Sequence, residues 1–424
     1  MIPKYRIRCV EGNEIVENPA RLACTHDHDS LLRTEYCSWR LQLAPHRGIY
    51  RYIAWLPVTA PLLPSGGPVT FTSEALSREL GLSNLSLSFS GYFPEHGADL
   101  TTGSFKELEA SPTMQRLGEL GNSIPVVASA GNTGRAFAEV SARCKRPVVI
   151  VIPEKAVSRL WTTEPAEDVF LVAVKGDYSD AITVSTTLAA VPGCVPEGGV
   201  RNVARRDGMG TVMLDAATTT GRIPDHYFQA VGSGTGAIAA WEAALRLIRD
   251  GNYGSALPRL HLAQNEPFTP MVSAWKAKRR EIIPATDMPD PEGAIAQVMS
   301  DVLTNRNPPY SIRGGLFDAL LETDGRMYGV TNAAGASAMK LVRDEVGIDL
   351  DPAAAVATAS LVHAVEKNII GHDDHILLNL TGGGYERIRE DFTLHPVGPA
   401  ATVTPGETAG ELVTILREWI AYHG

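Results

Sequence analysis

A lysine at the mouth of a helix is the first residue in this chain with a reason to do chemistry. Lys106 stands in Thr101-Thr102-Gly103-Ser104-Phe105-Lys106-Glu107-Leu108-Glu109-Ala110, where small and hydroxylated residues give way to a helix-favouring run. An amine held at that junction is partly desolvated beside Phe105 and lies close to a positive helix end. Both effects disfavour the ammonium form, so the nitrogen gives up its proton readily and can attack a carbonyl. A solvated surface lysine would look the same in isolation. Three glycine-containing turns further along separate the two readings.

The first turn, Ser129-Ala130-Gly131-Asn132-Thr133-Gly134, follows a short apolar run and opens a helix. Open α/β sheets bind ligands at such strand ends. Backbone N–H groups and the Ser129 and Thr133 hydroxyls are expected to face an anion there, while Asn132 donates to a ring oxygen. The second turn, Gly232-Ser233-Gly234-Thr235-Gly236, again joins strand to helix and lets N–H groups fold around a phosphate. It lacks the Lys-Ser/Thr ending of a nucleotide loop, and its G-x-G-x-G spacing is not the dinucleotide G-x-G-x-x-G, so a single phosphate fits it better than ATP or NAD. The third, Leu380-Thr381-Gly382-Gly383-Gly384, places Thr381 at a strand end. A neutral hydroxyl opposite a pyridine nitrogen leaves that nitrogen largely unprotonated, where an aspartate would hold it as pyridinium.

Together these pieces require one ligand with an aldehyde for Lys106, a ring oxygen for Asn132, a phosphate for Gly232–Gly236 and a ring nitrogen for Thr381. Pyridoxal 5′-phosphate carries all four groups. From about Ser104 to the C-terminus, the order of lysine, asparagine loop, phosphate loop and hydroxyl resembles the fold-type II pyridoxal-phosphate enzymes, the group of tryptophan synthase β, cysteine synthase and threonine synthase. The resemblance implies an α/β fold of two parallel-sheet domains with the cofactor in the cleft between them. Residues 1–102 would form a leader and the first part of the large domain, 103–198 the small domain, and 199–424 the rest of the large one.

Within that group, the run Val346–Ala355 looks like the threonine synthase branch, and so does a leader with two cysteines at ribbon-like positions. The stretches His28–Tyr36, Gly91–Glu95, Ser104–Ala110 and Ala128–Phe137 are similar to the cysteate synthases of methanogenic archaea. A common threonine synthase has Asp-Arg after its lysine, where this chain has Glu107-Leu108. The resemblance therefore implies O-phospho-L-serine plus sulfite giving L-cysteate plus phosphate, a step toward coenzyme M. The alternatives are O-phosphohomoserine to threonine, or another β-replacement of the cysteine synthase type. It also implies that Lys106 carries the cofactor and moves the α-proton, and that Ser129, Ala130, Gly131 and Thr133 hold the substrate carboxylate. Sulfite and the leaving phosphate are both anions and need positive charge; Arg135 is the first candidate and Arg313 the second. Asp349, Asp351, His261, His363 and His372 are read as structural. The group further implies a homo-oligomer.

The elements that must position these residues alternate regularly. Strands are expected at Val126–Ser129, Val148–Ile152, Val169–Val174, Tyr227–Val231, Arg259–Gln264 and Ile376–Leu380. Between them lie helices at Asn132–Cys144, Asp177–Ala190, Ala237–Ile248 and Pro352–Asn368, with a last one at Ala409–Tyr422. Such alternation predicts parallel sheets covered by helices. A net charge of −10 argues against nucleic acid or an anionic membrane as partner. No apolar run reaches membrane-spanning length, there is no signal-peptide core, and five scattered cysteines do not suggest disulfides, so a cytoplasmic location is expected. In the first forty residues Cys9, Cys24, His26 and His28 have ligand chemistry, but no C-x-x-C survives. The expectation is a small β-rich leader without metal.

Overall fold

Runs such as Val148-Val149-Ile150-Val151-Ile152 can lie in a strand with every residue buried only if helices cover both faces of the sheet. The computed structural model, which describes residues 3–26, 28–121, 123–406 and 410–423, contains two such sheets. The smaller has the order Cys194–Pro196, Ile124–Ala128, Val148–Pro153, Val169–Val174, Ala401–Val403, all parallel. Helices Asn132–Cys144 and Tyr178–Ala189 belong to it, the second started by an Asp177 capping box.

The larger sheet runs Arg326–Val330, Arg259–Asn265, His226–Ala230, His375–Leu380, Asn84–Phe89, Val69–Phe71. Its first five strands are parallel and the last is an antiparallel edge. Helix Thr235–Asp250 follows strand His226–Ala230, and Pro352–Glu366 precedes His375–Leu380.

Most elements lie within a few residues of their expected places. One boundary does not. The C-terminal segment, expected to belong wholly to the large domain, returns to the small sheet, where Ala401–Val403 pairs in parallel with Val172–Val174. The final helix, Gly410–His423, packs Leu412 and Leu416 into the apolar cluster of Phe170 and Val172. The physical reason is an otherwise open sheet edge, which the returning chain covers. Ala409 lies outside the described residues.

Helices Val203–Thr220 and Asn332–Val346 were not expected from the sequence. The first is buried on nearly every side, so its apolar residues trace no stripe and give no 3.6-residue signal. It is the central support of the site. Helix Glu107–Glu119 packs against it on one side. On another, Thr34 and Tyr36 of the leader donate to Asp207 Oδ2 at 2.7 and 2.6 Å. The leader is a three-stranded antiparallel sheet of Ile15–Val16, Tyr5–Cys9 and Leu32–Tyr36, β-rich as expected.

A line of buried rings crosses the large sheet. His226 Nδ1 meets His261 Nε2 at 3.0 Å, and His261 Nδ1 meets the Tyr328 hydroxyl at 2.6 Å. Burial first, then repulsion from His226, pushes His261 from the ordinary 6.5 down to about 2. The unfolded chain takes up a proton near 6.5 that the folded chain refuses, so this contribution to stability is complete above that value and declines as pH falls below it. The urea midpoint at about pH 5 should lie below that at about pH 7, and His261→Gln should narrow the gap. An equal gap in the variant would contradict the assignment.

Candidate active site

Lys106 occupies the residue just before helix Glu107–Glu119, already in helical conformation at φ −63°, ψ −21°. Only 18% of its side-chain surface is exposed. Its Nζ lies 3.5 Å from Glu109 Oε2, one turn along the same helix, and 4.7 Å from the Phe105 ring centre. Burial lowers the pKa of the amine; Glu109 opposes that shift and Arg205 adds to it, leaving it below the ordinary lysine value.

Glu109 links the lysine to the first turn. It is fully buried. Its Oε1 accepts from Thr133 Oγ1 at 3.1 Å and lies 2.8 Å from Arg205 Nη2. Arg205 in turn donates to Glu197 Oε2 at 2.7 Å. The third turn is joined to Lys106 through backbone. Phe105 N–H donates to Thr381 O at 2.9 Å, Gly383 N–H donates to Gly103 O at 3.0 Å, and Ser104 bridges Gly382. The second turn meets Lys106 across Phe105. A Cβ on Gly236 would sit 3.0 Å from Phe105 Cε2 and 2.7 Å from Gln229 Nε2, so only glycine leaves that space open. Gly234 holds φ +79° as the helix begins at Thr235; having no side chain, it caps nothing, and Ser233 Oγ accepts the Thr235 N–H at 3.4 Å. The motifs, scattered over nearly three hundred residues, therefore meet at the short segment Gly103–Glu109 that includes Lys106.

The turn Ser129–Gly134 departs in detail from its expected use. Ser129 Oγ accepts from the N–H groups of Gly131 at 3.0 Å and Gly134 at 2.7 Å. Those two donors organise the turn and are not both free for an anion, while the Thr133 hydroxyl is committed to Glu109. Ala130 O lies 3.5 Å from Arg159 Nη1. Asn132 Oδ1 accepts from Arg135 Nη2 at 3.0 Å, which leaves the NH2 end of the amide as the donor for a ring oxygen.

Arg135 is buried, with 5% of its surface exposed. It is stacked against Trp161 at 4.8 Å and Tyr385 at 5.3 Å, and it donates to the Tyr385 hydroxyl at 3.1 Å. Its Nε has no partner. No ion pair among the described residues includes Arg135; a carboxylate, that of Asp351, is linked to it through the Tyr385 hydroxyl. Arg313 is not a second such group. Half exposed and 3.9 Å from Glu11, it pairs with the leader through its backbone, Ser30 forming a bridge to it.

Several site residues were missed. Glu109 carried a signal, since it lies three residues after Lys106 in the same stretch and therefore on the same helix face. Arg205 and Glu197 carried none, because the helix that brings Arg205 in has no readable period. Tyr385 follows the third glycine turn, and its hydroxyl donates to Asp351 Oδ2 at 2.8 Å, so Asp351 both caps its helix and positions the ring under Arg135. Two surface hollows, of about 730 and 770 Å³, contain none of these residues; one is lined by His226 and Arg259, the other by Trp275 and Tyr328.

These groups fit pyridoxal 5′-phosphate on the structure's own terms. A desolvated amine beside Glu109, a glycine-rich helix N-terminus packed at Gly236 against Phe105, and an Asn132 amide with its donor end free supply groups for the aldehyde, the phosphate and the ring oxygen. Residues 96–382 match the pyridoxal-phosphate dependent enzyme family. The chain is 70% identical over 424 residues, all of both chains, to a cysteate synthase of Methanoregula boonei. The chain belongs to the pyridoxal-phosphate dependent enzymes, on the branch of the cysteate synthases. Another cysteate synthase, from Methanoculleus marisnigri, is 56% identical over 99% of this chain and 98% of its own. Among solved structures, a fungal L-serine ammonia-lyase from Rhizomucor miehei aligns with TM-score 0.58 at 15% identity, covering 79% of this chain and all of its own. Maize serine racemase aligns with TM-score 0.55 at 16% identity, covering 84% and 93%. At that identity they speak for the shared fold.

If Glu109 orients Lys106, Glu109→Gln should keep the fold, since Arg205 retains Glu197, and should lower kcat by about 10- to 100-fold. Steady-state turnover of the cofactor-loaded variant checks this, and wild-type kcat would remove Glu109 from the site.

Proposed function

We propose that this chain converts O-phospho-L-serine and sulfite to L-cysteate and phosphate. The full-length identity to the cysteate synthases carries the reading, and the arrangement around Lys106 supplies its chemistry. At the β-carbon, the C–O bond to phosphate breaks with its electron pair leaving on oxygen, and a sulfur lone pair of sulfite forms the new C–S bond.

When bound, pyridoxal 5′-phosphate supplies the carbonyl that captures the substrate amine and the electron sink that makes the α-proton acidic. Lys106 Nζ takes that proton as general base and returns it to the α-carbon after sulfur has entered. Burial disfavours the ammonium form of Lys106, which favours both taking the proton up as free amine and giving it back. Glu109, held by Arg205 and Thr133, steers Nζ and stabilises it while it carries the proton. Gly232, Ser233, Gly234, Thr235 and Gly236 would hold the cofactor phosphate, Asn132 its ring oxygen and Thr381 its ring nitrogen. The Ser129–Thr133 turn would take the substrate carboxylate through its backbone N–H groups other than that of Gly131, since the Thr133 hydroxyl is held by Glu109. Arg135, a buried cation in no ion pair among the described residues, supplies charge for an anionic group of phosphoserine or for sulfite.

The proposal extends to a homo-oligomer working in the cytoplasm on small molecules, independent of nucleic acid and membrane. The net charge of −10 supports independence from nucleic acid and anionic membranes; no described helix is long and apolar enough to cross a membrane.

Mass spectrometry of the products from phosphoserine with sulfite should show cysteate, whereas threonine from phosphohomoserine as the dominant product would overturn the reading. Lys106→Ala should lower kcat/KM by about 10³-fold or more and abolish the yellow absorbance of the loaded enzyme. Arg135→Gln should raise the KM for phosphoserine or sulfite by about 10- to 100-fold, the worth of a charge-assisted hydrogen bond. Unchanged KM values for both would dismiss that arginine from anion binding.

A further inference from the structure

We propose that the leader holds a structural zinc ion on Cys9, Glu14, Cys24 and His28, in place of the metal-free leader expected from the sequence. One ligand atom from each of the four residues lies within 4.8 Å of all the others. The two sulfurs stand 3.8 and 3.7 Å from His28 Nδ1. Tetrahedral zinc with bonds of about 2.0–2.3 Å has ligand–ligand edges of about 3.5 Å, so both edges are already near their bound length. His26, the fourth ligand considered from sequence, is not in the set. It is mostly exposed and its Nδ1 contacts Glu14 Oε1 at 3.1 Å. Sequence spacing could not reveal Glu14, which the hairpin turn between Tyr5–Cys9 and Ile15–Val16 brings back over Cys9.

Three further observations point to an ion. Cys9 is wholly buried and Cys24 is 6% exposed, yet both sulfurs receive backbone N–H groups at 3.4 Å, Cys9 from Gly12 and Cys24 from His26. Amides aimed at sulfur favour thiolates and orient them, as outer partners of a metal site do. A Cβ on Gly12 would clash with the Glu14 carboxylate and lie 2.9 Å from His28 Cε1, so the absence of a side chain there keeps the ligands together. Finally, the loop from Glu17 to Asp29 contains no helix or strand among its described residues, although Cys24 and His28 sit on it. An ion would pin it.

Two thiolates, an imidazole and a carboxylate form a closed, four-coordinate set of the kind that suits zinc in a structural role. On binding, both thiols release their protons to solvent. The Cys24 Sγ–Glu14 Oε1 contact, 2.5 Å with the thiol proton between, opens to admit the ion. The consequence reaches the active site by position. Asp29 pairs with Arg201 at 2.5 Å, Thr34 and Tyr36 hold Asp207, and the same helix presents Arg205 to Glu109.

Elemental analysis of the full-length, cofactor-loaded protein, purified without chelator, should give about one zinc per chain. Cys24→Ser and His28→Ala should lose it while keeping the absorbance of the bound cofactor. Chelation should lower the melting temperature and added Zn2+ should restore it. As a readout independent of any variant's folding, wild type is also reconstituted with Co2+, which should develop a thiolate-to-cobalt charge-transfer band. No stoichiometric zinc together with no such band, or zinc content unchanged in both variants, overturns the proposal.

Discussion

The arrangement depends on keeping one amine out of water beside one buried carboxylate. Taking a charge out of water is costly unless a partner compensates it, and replacing such ionic clusters by apolar groups is often neutral or stabilising. Glu109, Arg205 and Glu197 nevertheless form a chain of charges next to Lys106, with ion-pair distances of 2.8 and 2.7 Å. Its value lies in what it does to Nζ. Burial disfavours the ammonium form of Lys106, the Glu109 carboxylate 3.5 Å away opposes that shift, and Arg205 adds to it.

That chain also explains why the helix Val203–Thr220 sits at the centre of the molecule. Three consecutive residues of it serve three contacts: Arg205 holds Glu109, Arg206 pairs with Glu242 at 3.0 Å, and Asp207 anchors the leader. Ion pairs Arg159–Asp301 at 2.6 Å and Arg306–Asp177 at 3.3 Å tie the small-sheet half to the segment Asp301–Arg306, whose Val302 carbonyl lies against Gly232 of the phosphate loop. Both pairs are partly exposed, so each contributes little energy and mainly sets alignment.

The leader is attached through a different mixture of forces. Its inner face buries Ile7, Cys9, Val16 and Leu32 with Val203, a small apolar cluster for three short strands. So little core rarely stabilises a unit without help from a metal, a disulfide or a large neighbour. Here the neighbour is the central helix, through Asp207 and through Arg206, which donates to the Leu32 carbonyl.

The amino-acid order by itself determined the parallel α/β architecture, because strand-length apolar runs alternating with amphipathic helices leave few other ways to bury both faces. It also indicated the cofactor, and it supports the proposal of Lys106 as the reacting amine, since a lysine and three glycine turns carry chemistry that is local in character. Helix Asn132–Cys144 and strand Val169–Val174 could be placed to the residue for the same reason: caps and periodicity act within a few positions. Only tertiary structure decided what Lys106 faces, that Ser129 and Thr133 spend their hydroxyls on protein, and that Arg135 is buried in no ion pair among the described residues while Arg313 is a surface contact. It alone sent the last strand to the small sheet and assembled Glu14 with Cys9, Cys24 and His28. Those outcomes rest on contacts between residues far apart in the chain, and a helix buried on all sides, the one that brings Arg205 to Glu109, leaves no pattern from which they could be read.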